Sequence, residues 1–445
     1  MVTTVASALN RSIESVKQSM ANAQMSATQR LVVGLCFFLN MIDGMDVLVL
    51  SFAAPVLAQE LAIDATNLGQ LFSTGLLGMA FGGLVLGPTA DRFGRKAIML
   101  VALCLMSCGM IRSAFSQSFR ELLILRFFTG VGVGAMLVSM AALASEYAND
   151  RSRNFAVAFV QAGYPLGAML TGFFAAWAIP TLGWRSLFVA GGVISAITLP
   201  LIAWLMPESL AFLSQKQPPH ALQRINRILA RMGRAAVSVL PERLGTPTGR
   251  TTLSLLFSNG MMRSTLLLWG GAFFGFSALY FLSSWIPRIA VDAGLPISEA
   301  IYAGTMFNIG GLVGTIIIGW MGTRYDIRKM MALFFCIGAV VLTVFGLARV
   351  PLLLTLTLAL LMGVFVQGAF NGTYPAAARL YSTEVRATGV GWAMGIGRAG
   401  AILGPLLAGY LIEKGVDRGI LFSLFALPLL FSAAAARRLR GGELK

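Results

Sequence analysis

Apolar runs too long for any water-soluble core divide this chain into twelve segments: 31–58, 66–90, 97–115, 121–147, 155–179, 185–206, 264–290, 298–322, 330–348, 351–377, 387–412 and 419–436. About 20 helical residues cross a hydrocarbon layer of ~30 Å, so each segment predicts a membrane-spanning helix. Residues 1–30 are polar, and the first apolar run is long and lacks an A-x-A exit, which reads as a retained span rather than a cleaved signal. The longest polar break, 207–263, holds Pro218-Pro219, an expected amphipathic helix around 220–234 with arginines 224, 227, 231 and 234, and a Pro/Gly/Thr stretch from Pro241 to Gly249. The expected organisation is an N-terminal segment (1–30), a six-helix bundle (31–206), a linker (207–263), a second six-helix bundle (264–436) and a tail (437–445).

Composition agrees with a bilayer as the solvent. Of 445 residues, 57% are apolar and only 12% charged, against about 45–50% and about 25% in soluble domains. Basic residues fix the expected orientation. With both termini in the cytoplasm, the inner segments hold 25 Lys and Arg and the outer loops 7, with Arg126 and Arg398 left inside spans. That asymmetry follows the positive-inside rule and accounts for the net charge of +16 without nucleic acid. A multi-pass protein of a bacterial inner membrane is expected, monomeric and in contact with lipid. The single histidine, His220, argues against a His-based metal cluster or a Ser-His-Asp triad, and there is no GxxxxGK[ST] stretch. Cys36, Cys104, Cys108 and Cys336 all sit in apolar runs and read as packing residues. Neither an enzyme nor a resident cofactor is expected.

The two halves repeat one another. Gly87–Lys96, between the second and third spans, is echoed by Gly319–Lys329 between the eighth and ninth, at an offset of 232. Gly167-Ala168-Met169-Leu170 is echoed by Gly400-Ala401-Ile402-Leu403 at an offset of 233. Duplicated halves that bind a substrate between them near the midplane are characteristic of transporters, so the bundles should be pseudo-symmetric.

Gly87–Lys96 resembles the G-x-x-x-D-R-x-G-R-[KR] signature of the major facilitator superfamily. Arg126 with Gly130, Gly132 and Gly134 resembles its R-x-x-x-G-x-G-x-G stretch, and Pro207-Glu208-Ser209 its P-E-S closure of the sixth span. Within that superfamily, Asp43-Gly44-Met45-Asp46 and the run from Arg386 to Pro405 are similar to the aromatic acid:proton symporters. That resemblance implies proton-coupled import of benzoate-like carboxylates such as hydroxybenzoates and protocatechuate. Two positions depart from it: Val138-Ser139 stands where relatives often have Pro-Asn, and Thr323 replaces the usual acid in the second loop copy.

Charges inside spans cost at least ~2.5–3.5 kcal/mol each on insertion scales, so each is a functional candidate. Counted from Arg30, Asp43 lies about 20 Å deep, and Asp46 follows about 60° round the helix, so both can face one cavity. A carboxyl taken out of water holds its proton more tightly, which suits reversible protonation; a hydrogen-bonded packing pair is the plainer alternative. Arg398, near mid-membrane, offers a planar fork to a carboxylate, or neutralises an aspartate. Arg126 and Glu146 complete the proton-coupling candidates; Glu146 also fits a gate network with Asp91, Arg92, Arg95 and, in the second half, Arg324. Candidates for holding an aromatic acid beside Arg398 and Asp46 are Tyr164, Tyr280, Asn308, Asn371, Tyr374 and Trp392.

The expected cycle loads a proton on Asp43 or Asp46 from outside, docks the anion on Arg398, and rocks the two halves inward. Rival readings are a proton-antiporting exporter of drugs or amphiphiles, an importer of non-aromatic acids such as muconate, and a transporter-like sensor. A sensor would be expected to carry a soluble signalling domain, and the expectation here is a transporter without one.

Overall fold

A computed structural model describes residues 25–149, 152–240, 256–257, 261–347, 351–381 and 385–439. Twelve helices are long and apolar enough to cross a membrane: α1 (Ala27–Glu60), α2 (Ala65–Phe93), α3 (Arg95–Ala114), α4 (Phe119–Tyr147), α5 (Phe155–Leu182), α6 (Arg185–Leu205), α7 (Met262–Asp292), α8 (Ile297–Arg324), α9 (Ile327–Leu347), α10 (Leu352–Leu380), α11 (Thr388–Glu413) and α12 (Arg418–Arg438). The described residues contain no strand. An even number of spans brings both chain ends to one face, called here the terminal face. Between α6 and α7, a short helix (Leu210–Lys216) precedes an amphipathic one (Ala221–Arg231) that buries Ile225, Ile228 and Leu229 against the first bundle. The Pro241–Gly249 stretch lies outside the described residues, as do most of the N-terminal segment and of the C-terminal tail.

Within each bundle, glycine lets backbones touch. A Cβ on Gly130 or Gly134 of α4 would lie 2.1 or 2.0 Å from the Gly75 or Met79 carbonyl oxygen of α2. In the second half, a Cβ on Gly310 or Gly314 of α8 would lie 2.0 or 2.1 Å from the Leu360 or Val364 carbonyl oxygen of α10. This is the small-residue packing by which helices associate in lipid, where burial of apolar surface supplies no drive. Gly134→Val is therefore expected to abolish assembly of the first bundle, read as loss of the monodisperse peak in size-exclusion of detergent extracts. Both contact zones carry a π-helical turn, Gly82–Leu86 in α2 and Gly363–Gln367 in α10.

The halves join on the side away from the terminal face. Ser51 of α1 donates to the Ser283 and Ser284 carbonyls of α7 at 2.7 and 3.0 Å, and Ser73 of α2 donates to Ile402 O of α11 at 2.6 Å. Glu413, at the far end of α11, accepts from the Ala65 amide that opens α2, at 3.0 Å. One stripe of α11 records how the halves diverge. At its far end Gly409 abuts the Ala65 carbonyl, where a Cβ would stand 2.4 Å away, while Gly391 and Gly395 on the same stripe meet nothing within 4 Å. Arg398 lies on this stripe between the closed and open stretches.

Candidate functional site

Seven of the candidate residues converge between the bundles. Asp43 and Asp46 come from α1, Arg126 from α4, Tyr164 from α5, Tyr280 from α7, Tyr374 from α10 and Arg398 from α11. Tyr164 lies within electrostatic reach of Asp43, Asp46 and Tyr280, and Arg398 within reach of Tyr280 and Tyr374. Gly44 makes the α1–α5 approach possible, since a Cβ there would stand 2.1 Å from the Tyr164 carbonyl oxygen.

The first bundle supplies the acids. Asp43 is fully buried, and neither carboxylate oxygen accepts a hydrogen bond among the described residues. Asp46 is 4% exposed and stands 3.9 Å from the Arg126 guanidinium, too far for a hydrogen bond. Arg126 is held elsewhere: it donates to Met110 Sδ at 3.1 Å and lies 5.1 Å over the Phe188 ring. A soft sulfur and a ring face position the cation without taking the place of its counter-charge. The pair therefore keeps its Coulomb attraction, of order 4 kcal/mol at an effective dielectric near 20, but not a fixed hydrogen-bonded geometry. Asp46 and Arg126 line a cavity with Thr129, Tyr280, Ser283 and Ser284, backed by Phe72 and Met79, with about 510 Å³ of free space including its mouth.

The second bundle supplies an isolated cation among rings. Arg398 is partly buried and has no ion pair among the described residues. Around it, Phe276 stacks on Tyr280 at 6.1 Å and meets Phe370 edge-on at 4.4 Å, and Phe370 in turn meets Tyr374 at 6.0 Å. Phe276 and Phe370 were not singled out from sequence; in a chain with 30 phenylalanines, nothing in the sequence marks these two.

The remaining candidates have other partners. Asn308 is buried and donates to Gly304 O of its own helix at 2.9 Å, and Asn371 donates to Thr315 Oγ1 of α8 at 2.5 Å. Trp392 stacks on Trp269 at 5.9 Å, six residues nearer the terminal face than Arg398. Glu146 lies 20 residues along α4 from Arg126, about 30 Å at helical rise. It pairs with Arg95 and accepts from Ser209 Oγ at 2.6 Å, while Arg95 also lies 3.7 Å from the exposed Asp91. Glu208, beside Ser209, accepts from the Lys96 and Ser209 amides at 3.1 and 2.9 Å. It packs against Gly94, whose φ of +99° and lack of Cβ shape the turn. Glu208 and Ser209 thus join the loop network, a link that the sequence holds only as an unassigned P-E-S. Arg92 turns away onto the Phe93 ring.

Among the described residues, Arg324 in the second half joins no such network, while Arg328 pairs with Asp326 at 2.8 Å. Arg324 lies 4.5 Å over the Trp320 ring of its own helix, and Thr323 donates to Trp320 O. An offset of 233 puts Arg379 where the first half has Glu146, and Arg379 donates to Gly322 O at 3.2 Å. The half-buried Arg95–Glu146 pair predicts a testable asymmetry. Arg95→Ala should cost about 3 kcal/mol by stranding Glu146, and Arg95→Ala with Glu146→Gln should cost less, as read by thermal melting in detergent. Arg324→Ala should leave the melt unchanged.

The sequence profile of the Major Facilitator Superfamily matches residues 36–316 and 268–443. The chain is 35% identical to a gallate transporter of Pseudomonas putida over 95% of this chain and 94% of the relative. It is 35% identical to the 4-hydroxybenzoate transporter PcaK of Pseudomonas aeruginosa over 94% of each. A benzoate transport protein of Acinetobacter baylyi is 28% identical over 93% of this chain and 90% of its own length. Two glycine-packed six-helix bundles around buried mid-membrane charges, with relatives matched almost end to end, make this chain a member of the major facilitator superfamily and a membrane transporter rather than an enzyme.

Proposed function

We propose that this transporter imports small aromatic carboxylates together with protons across a bacterial inner membrane. The observation that carries the reading is the division of labour at the cluster: an arginine among aromatic rings on one bundle with no ion pair among the described residues, and two buried aspartates and a loosely held arginine on the other. A planar guanidinium matches a carboxylate, and flanking rings offer faces to an aromatic body. The names of the relatives, transporters of gallate, 4-hydroxybenzoate and benzoate, support the same substrate class.

Energetics favours a proton partner. Moving one negative charge into a negative-inside cell costs ~2.3 kcal/mol per 100 mV. One co-transported proton cancels that term and lets the pH gradient drive uptake. Asp43 and Asp46 are the proposed carriers of that proton, with Arg126 as the counter-charge 3.9 Å from Asp46. With the termini in the cytoplasm, the splayed face opens inward, and the Ser51, Ser73 and Glu413 bonds close the outer side. Uptake of labelled 4-hydroxybenzoate by proteoliposomes tests the reading. Saturable uptake, competed by benzoate and protocatechuate and not by muconate or lipophilic cations, is expected. Protein that is folded but takes up no aromatic acid would sink it.

A further inference from the structure

Tyr280 of α7 belongs to two neighbourhoods at once. It lines the cavity that holds Asp46 and Arg126, together with Ser283 and Ser284 of its own helix. It also lies within electrostatic reach of Arg398 of α11 and Tyr374 of α10, neither of which lines that cavity. The packing of α7 on α11 sets this order. The two helices run in the same direction, with Gly400 against the Phe273 carbonyl and Gly404 against the Ser277 carbonyl, so Arg398 stands nearer the terminal face than Tyr280. Between those levels the Phe276 ring covers Gly397, the residue before Arg398, where a Cβ would stand 2.6 Å from the ring. Tyr280 stacks on this same ring at an interplanar angle of 9°. Helical side chains lean towards the N-terminus of their helix, which for α7 is the terminal face, so the phenol leans from the cavity wall towards the Arg398 level.

Its hydroxyl is uncommitted. The buried Tyr147 and Tyr381 donate to Glu208 O and Thr265 Oγ1 at 2.7 and 3.3 Å, whereas the Tyr280 hydroxyl has no hydrogen-bond partner among the described residues. A phenol has one proton to donate. We infer that Tyr280 couples the two sites: it donates across the cavity to Asp46 while that carboxylate is charged, and to a substrate carboxylate held at Arg398 once Asp46 has taken up a proton. This rests on the substrate class proposed above. The incoming proton goes to an Asp46 oxygen, and Tyr280 keeps its own proton throughout and only turns its O–H. A charged acceptor outcompetes a neutral one, which sets the direction of the turn. Proton loading thereby raises affinity for the anion, and by reciprocity the bound anion raises affinity for the proton. The other groups facing the phenol are Arg126 at the cavity, Tyr374, and Tyr164 of α5, itself beside Asp43 and Asp46. Phenols and guanidinium groups do not change charge near neutral pH, which leaves the aspartates as the groups that titrate.

The test is the dissociation constant of 4-hydroxybenzoate against pH, from titration calorimetry of the purified full-length protein between about pH 6 and 8.5, where the ligand is a carboxylate with a neutral phenol. Wild type should bind more tightly at the acidic end. Tyr280→Phe removes only the hydroxyl; it should weaken binding at the acidic end by about tenfold, the worth of one hydrogen bond to a charged group, and leave the basic end unchanged. Protons taken up per anion bound, from titrations in buffers of different ionisation enthalpy, should fall in the same variant. Phe276→Leu frees the phenol from its stack, should flatten the same profile, and answers the question if Tyr280→Phe fails to fold. Equal weakening at every pH would make Tyr280 an ordinary ligand or packing residue, and an unchanged profile would place it outside the coupling; either result overturns the inference. Wild-type affinity that does not change with pH would overturn this inference alone. Wild type that binds no aromatic acid at any pH would overturn the substrate class with it.

Discussion

Replacing Arg398 with alanine is expected to abolish saturable uptake of aromatic acids while leaving the folded protein intact. Arg398 has no ion pair among the described residues, so its removal strands no buried acid. What it loses is a charge-assisted, two-pronged partner for the substrate carboxylate, worth 2–5 kcal/mol at a desolvated site. The apparent affinity for 4-hydroxybenzoate should therefore fall at least ~30-fold. Arg398→Lys keeps the charge without the fork and should recover only part of it. Initial rates over a concentration series, alongside melting temperature, separate this outcome from misfolding. Arg126→Ala provides the contrast. It leaves Asp46 buried and uncompensated, and should cost 3–5 kcal/mol of stability as well as transport.

The second large effect concerns the aspartates. Asp46→Asn should eliminate accumulation driven by a pH gradient, because an amide carries no exchangeable acid proton, yet exchange of labelled for unlabelled substrate across the membrane should persist. Asp43→Asn should do the same if the pair shares one proton, and the two carboxyls are close enough to feel each other's charge. Asp43 needs no counter-ion restored after substitution, since its oxygens have no partner among the described residues. Loss of both accumulation and exchange in either variant would assign that aspartate to substrate binding or helix packing instead.

The spans were legible because hydrocarbon imposes a length and a composition on any helix that crosses it. The charged part of the site was legible for a related reason: Asp43, Asp46, Arg126 and Arg398 are conspicuous in apolar runs, each being costly to place there. Neutral residues gave no such signal. Gln367 is one of two amides in its apolar stretch, and what buries it is Gly311 of another helix, which its own sequence neighbours do not reveal. Asn308 and Asn371 stood out in sequence as candidates, but their amide nitrogens donate to a carbonyl one turn back and to a threonine on α8. Trp392 is an aromatic near Arg398 in sequence, but its helix directs it to Trp269. Arg324 was expected in a gate network, but it stacks on Trp320 of its own helix, and Thr323, in place of an acid, donates to the same residue's carbonyl.

The central claim, that an aromatic carboxylate and a proton cross together, is tested most directly by watching the proton. Proteoliposomes carrying an internal pH dye, with the membrane potential clamped and no imposed pH gradient, receive 4-hydroxybenzoate outside at a pH where it is fully ionised. Acidification of the lumen at the rate of substrate entry, present in wild type and absent in Asp46→Asn, is the predicted result. Substrate entry in wild type without lumenal acidification would contradict the account.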